Sequence, residues 1–114
     1  MNNNLNIRSA RTNEIKKIQR FILKFFFKKN HILSRNARLL KWQYLNRTLS
    51  CSLAFVKSKI IGLHFFIPLS QFDVKLKSKK ELFTSLWFTK KTKIIFLGKN
   101  IFDFTIKKEN PKLV

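Results

Sequence analysis

Residues 53–68 read L-A-F-V-K-S-K-I-I-G-L-H-F-F-I-P, two apolar runs around a polar turn at Lys57, Ser58 and Lys59. Phe55, Val56, Ile60, Ile61, Phe65, Phe66 and Ile67 are β-branched or aromatic, the types that suit a pleated and buried surface. Two such runs flanking a short polar break predict a β-hairpin, and a hairpin needs further elements to cover it. The turn lacks Asn-Gly or Gly-Gly, so a loop of about three to five residues is expected. Gly62 lies inside the second run, where glycine fits a plain twist, a bulge or a close approach by another backbone. Pro68 ends the run because it cannot donate to a ladder.

The flanking segments supply the cover. Leu5, Asn6, Ile7 and Arg8 alternate and predict a short first strand. Ile15, Ile18, Ile22 and Phe25 recur at three- and four-residue spacing, predicting a helix over 13–28 with Thr12 as N-cap and Glu14 in its first turn. Ser34 or Asn36 can cap a second helix over 37–46, on which Leu40 and Tyr44 share a face. Residues 69–80 form a connector carrying Lys75, Lys77, Lys79 and Lys80. Residues 81–88 predict another strand, with Leu82, Thr84, Leu86 and Phe88 on one side and Phe83, Ser85 and Trp87 on the other. Gly98 breaks the apolar run 94–97, and a last helix is expected over 99–108, stopped by Asn110-Pro111. Strand, two helices, three strands and a helix make an α+β fold with N-terminal helices and an antiparallel sheet. At 114 residues a single domain is expected.

Charge is the strongest compositional signal. Lys and Arg number 25 against 5 acidic residues, for a formal net charge of +20. Such an excess suits nucleic acid or another polyanion, and an A/T-rich coding sequence would also produce it. Phe65 or Trp87 could stack a base, although strand aromatics more often face a core. Cys51 is the single cysteine, so an intrachain disulfide and a cysteine metal site are excluded and a reducing, cytoplasmic setting is expected. The N-terminus carries no signal-peptide pattern, and no apolar run approaches the ~18 residues of a membrane span.

Chemistry-bearing residues are few. His64 could act as a general acid or base, or be a strand histidine satisfied by hydrogen bonds; His31 reads as a cap or surface residue. The acids Glu14, Asp73, Glu81, Asp103 and Glu109 form no carboxylate pair, no nucleophile elbow surrounds a serine, and two glycines cannot build a Walker or Rossmann loop.

The order of elements, together with L-L-K-W-Q-Y-L-N at 39–46, the hairpin and Ser85-Leu86-Trp87, resembles the front of a GNAT-type acetyltransferase, most of all a sugar-modifying subgroup. The likeness spans roughly residues 5–88. It implies transfer of the acetyl group of acetyl-CoA to a small-molecule amine, with an amino sugar as acceptor. By that resemblance the backbone of Ser85, Leu86, Trp87 and Phe88 positions the thioester. A loop of the form Arg/Gln-x-x-Gly-x-Gly/Ala then holds the pyrophosphate. Here it reads K-I-I-F-L-G-K: Lys93 takes the basic position, Phe96 the first glycine, Gly98 the second small residue, and Lys99 and Asn100 open the helix. His64 would be the base. The family continues through a fifth strand, a further helix and closing strands, and that part usually supplies a tyrosine as general acid, whereas Tyr44 lies in the second helix. The resemblance therefore implies a truncated domain, weak or lost acetyl-CoA binding, little catalysis by this chain alone, and an open fourth strand prone to self-association. Two other functions stay open: a small basic nucleic-acid-binding module, and a non-catalytic remnant acting through a partner.

Overall fold

The computed structural model describes residues 5–26, 31–46, 48–68 and 82–110. A four-stranded antiparallel sheet organises them, in the order β1-β4-β5-β6: β1 Leu5–Ser9, β4 Cys51–Val56, β5 Lys59–Pro68 and β6 Leu82–Thr89. A two-residue ladder, β2 Leu45–Asn46 with β3 Thr48–Leu49, precedes β4. Helices α1 Ile15–Phe25 and α2 Ala37–Tyr44 cover one face, and α3 Leu97–Glu109 covers the other. The α+β arrangement expected from the sequence is the one observed. The basic connector 69–80, the end of the first predicted helix at 27–28 and Pro111 lie outside the described residues.

The hairpin closes more tightly than its composition suggests. Val56 pairs with Lys59, so the loop is the two residues Lys57 and Ser58, not a longer one. Both adopt left-handed φ, 51° and 68°, as a tight turn matched to strand twist requires. The long flanking ladders hold two non-glycine residues in a conformation that neither favours on its own.

On β4, Cys51, Leu53 and Phe55 enter the core beneath α1 and α2, while Ala54 faces α3. On β5 the alternation slips. Ala54 pairs with Gly62 but Phe55 pairs with Ile60, so Ile61 is an extra residue. A Cβ on Gly62 would lie 2.6 Å from Ile101 Cδ1 and 2.9 Å from Thr89 Cγ2. Gly62 thus marks both a neighbouring bulge and a close approach by α3.

The helix ends follow local chemistry. Asn36 Oδ1 accepts from Leu39 N–H at 2.9 Å and caps α2. Thr12 does not cap α1; it begins a 3₁₀ turn, Thr12–Glu14, that leads into the helix. Glu14 Oε1 accepts from Arg11 N–H at 2.8 Å. The same carboxylate takes both arms of Arg8, at 2.8 and 2.6 Å, and is buried. The Arg8 hydrogen bonds hold the Glu14 carboxyl below its usual range. Helix α2 ends at Tyr44 rather than Asn46 because the chain turns into the β2–β3 ladder. Gly98 does not stop an element; it lies in the first turn of α3, which begins at Leu97.

Candidate active site

The candidate site lies where β6 runs out and α3 begins. β6 is the last strand of the sheet, and its outer edge is unpaired among the described residues. It also carries a bulge. His64 pairs with Trp87 and Phe66 with Thr84, so three steps on β6 oppose two on β5. The extra residue revises the simple alternation read from the sequence. Ser85, Leu86 and Phe88 turn to the α1/α2 side, where Leu86 and Phe88 pack on the core. Thr84 and Trp87 both contact His64, on the α3 side. Phe88 stacks on Phe21 with ring centroids 5.1 Å apart, so its backbone is what remains for a ligand.

The bulge is anchored from both faces. Tyr44 is buried on α2, and its hydroxyl shares a 2.5 Å hydrogen bond with Ser85 Oγ. Burial raises the Tyr44 hydroxyl above its ordinary pKa, so it stays protonated at neutral pH. On the other face Trp87 Nε1 donates to the Gly98 carbonyl at 3.1 Å, tying β6 to the first turn of α3. Phe102 packs on Trp87, with centroids 4.9 Å apart.

The start of α3 is open. Its N-cap is Phe96, which has φ 57° and provides no side-chain cap. The Asn100 N–H bonds the Phe96 carbonyl at 2.9 Å, which leaves the N–H groups of Leu97, Gly98 and Lys99 as the first-turn donors. The Phe96 ring is 72% exposed and points away from the core. Its backbone occupies the left-handed region that glycine favours, so this phenylalanine sits in a conformation that glycine would adopt with less strain. Gly98 needs neither special φ nor space, because a Cβ there would come no nearer than 3.8 Å to Trp87 Nε1. Lys93, Lys99 and Asn100 are exposed, and Lys99 pairs with Asp103 at 2.6 Å.

His64 is sealed under α3. It is 0% exposed; Nδ1 shares a hydrogen bond with Thr105 Oγ1 at 2.9 Å, and Nε2 lies 3.2 Å from Thr84 Oγ1. Ser52 Oγ bonds the same Thr105 hydroxyl at 2.6 Å. Burial pushes the His64 pKa down to about 4. His31 caps the short turn Ile32–Ser34, where its Nδ1 accepts from Leu33 N–H at 3.1 Å.

The structure brings Trp87 and Gly98 together and sets Ser85 beside Tyr44. It leaves Lys93, Lys99 and Asn100 on the open side, and His64 behind the sheet. Sequence reasoning did not connect Tyr44 to Ser85. The available signal was the buried i, i+4 pair with Leu40, because a buried tyrosine hydroxyl needs a partner. Thr105 also went unnoticed, since a threonine within a short helix has no periodic signature.

No protein-family model matches the chain, and no curated protein sequence does. Solved structures do. Naa50 of Arabidopsis thaliana, in complex with the bisubstrate analogue CoA-Ac-MVNAL, superposes with TM-score 0.68 at 8% identity, over 96% of this chain and 67% of that one. A Pyrococcus horikoshii protein named as an acetyltransferase gives 0.65 at 15% identity, over 94% of this chain and 35% of that one. Ard1 from Thermoplasma volcanium gives 0.64 at 12%, over 94% and 64%. The chain therefore shares the fold of the matching part of these proteins, and it spans from about a third to two thirds of their length.

Proposed function

We propose that this chain forms the cofactor-holding part of an acetyltransferase that uses acetyl-CoA to acylate an amine, with an amino sugar as the acceptor class. The observation that carries this reading is the uncapped start of α3, tied by Trp87 to the end of an edge strand. Backbone N–H groups at a helix start hold a pyrophosphate well. The donor set at Leu97, Gly98 and Lys99 fits that group, and the Lys93 ammonium adds charge, while that of Lys99 is shared with Asp103. When bound, acetyl-CoA supplies an activated acyl thioester. The β6 backbone from Ser85 to Phe88 holds the acyl arm, and the amine attacks once deprotonated. The Tyr44–Ser85 hydroxyl pair fixes the bulge in place. His64 keeps α3 seated on the sheet, since both ring nitrogens are engaged and solvent does not reach it.

Binding by the 114-residue chain is expected to be weak. With the outer edge of β6 unpaired among the described residues, the ligand is covered on one side, and charge contacts left in water contribute little. The same edge supports pairing with a second copy of the chain, because an unpaired strand is a template for another.

Trp87 reports on the site directly. In a Trp42→Phe background, adding acetyl-CoA should give a weak, saturable fluorescence change that CoA competes away and Gly98→Val removes. No change at high ligand, with the fold intact, would overturn the reading. Acceptor class is read by thiol release with amino sugars and peptide N-termini side by side; faster release with peptides would replace the amino-sugar assignment.

A further inference from the structure

A second feature is lined by none of the residues placed in the candidate site and rests on other elements, β1, α1 and the hairpin turn. Between β1, α1 and the hairpin turn is an open cleft of about 540 Å³, whose lining includes Arg11, Lys17 and Lys57. A smaller cleft of about 230 Å³ lies along α1, rimmed by the cations Lys17, Arg20, Lys24 and Lys59 over an apolar lining of Phe21, Phe25 and Ile60. The two share Lys17 and Ser58, so they join end to end as one track.

The charge in this track is unbalanced. Glu14 is its single carboxylate among the described residues, and Arg8 already engages both oxygens of that group. Arg11, Lys17, Arg20, Lys24, Lys57 and Lys59 remain, each exposed. Lys17, Arg20 and Lys24 follow three- and four-residue spacing, so they form a row along one side of α1. At about 1.5 Å rise per residue, that row spans roughly 10 Å. It sits opposite the rim of the hairpin turn, where Lys57 and Lys59 project.

We propose that this track binds the phosphate backbone of single-stranded nucleic acid. A single anion would need one pocket, whereas here two clefts share a row of cations. Asn6, Asn13 and Ser58 make the larger cleft hydrogen-bonding as well as cationic, which suits phosphate and sugar more than lipid tails. The proposal places the nucleic-acid surface on α1 and the hairpin turn.

The test is anisotropy of fluorescent 15-nucleotide oligo-dT and oligo-U, titrated with the full chain at several salt concentrations. The track variant is K17Q/R20Q/K24Q. A charge-matched control, R38Q/K41Q/K107Q, removes three exposed cations elsewhere. Circular dichroism and a thermal melt confirm that both fold. Each phosphate contact in a single strand contributes about 0.7 to the log–log salt slope, so the track variant should lose about 2 from it. Its affinity at low salt should fall about tenfold or more, and the control less than threefold. Equal losses in both variants, or no oligonucleotide binding by the unmodified chain at low salt, would overturn the proposal. So would binding to phosphatidylserine vesicles that exceeds oligonucleotide binding and depends on the same three residues.

Discussion

The two faces of the sheet are built differently. Among the described residues, α1, α2 and the sheet face they cover share a cluster of fourteen buried residues, nearly all large and apolar, among them Ile18, Ile22, Leu40, Leu53, Leu63 and Phe65. Under α3 the buried apolar cluster has four members, Ala54, Ile61, Leu97 and Ile101, beside the polar set Ser52, His64 and Thr105. The first face removes far more apolar surface from water and so supplies most of the hydrophobic stabilisation. The second relies on hydrogen bonds and the close approach of the Ile101 side chain to Gly62, which fix geometry more than they add net stability. The division suits the proposed site, because α3 must present its first turn at a defined distance from β6.

The largest expected effect is on the thick face. Leu63→Ala removes a fully buried side chain between the strands and α1, and should cost about 2–5 kcal/mol in urea unfolding. A cost below that range would mean that the two faces contribute more equally than their burial implies.

The next effect belongs to the thin face and is read by pH. His64 has a folded pKa pushed down to about 4, below its ordinary value of 6.5, so the unfolded chain takes up the proton first. The stability contribution is complete above pH 6.5 and falls as the pH drops from 6.5 to 4. The total loss is about 3 kcal/mol for a shift of this size. Unfolding measured across that window should show a steeper decline in the native chain than in His64→Gln. Parallel curves would mean that His64 is not held neutral by α3.

Gly62→Ala probes the close approach. The new Cβ would press on Ile101 Cδ1 and Thr89 Cγ2, at a cost of about 1–3 kcal/mol. A paired Ile101→Val should recover part of it, whereas additive losses would argue against contact between the two sites.

How far the sequence foretold this arrangement differs from element to element. The hairpin was legible because aromatic and β-branched residues flank a polar break, and α1 because Ile15, Ile18 and Ile22 keep helical spacing. The α2 cap was legible as a choice between Ser34 and Asn36, of which Asn36 is the one that caps. The bulge at Ile61 was legible only as one of three readings of Gly62, and the bulge near Ser85 was not legible, since a strict period of two has no place for an extra residue. The second slip moved Leu86 away from Thr84 and so altered which side chains share a face with the site. The tight Lys57-Ser58 turn was hidden for a related reason: the ladders dictate it, and the turn residues themselves do not. In the candidate site, Gly98 and Trp87 were legible as residues, but the bond joining them required tertiary structure.

The smallest expected effect separates stability from function at one atom. Gly98→Ala meets only ordinary contacts and replaces a poor helix former, so it should stabilise the chain by up to about 1 kcal/mol. Destabilisation would show that α3 needs the glycine for folding.

The central claim is that the first turn of α3 and the β6 backbone hold acetyl-CoA. Amide chemical shifts recorded during titration with acetyl-CoA test it most directly, because the ligand is itself a polyanion and could settle on the α1 track instead. The account predicts shifts concentrated at Leu97, Gly98, Lys99 and Asn100 and along Ser85 to Phe88. Shifts confined to Arg11, Lys17, Arg20 and Lys57, with the α3 start unmoved, would contradict it.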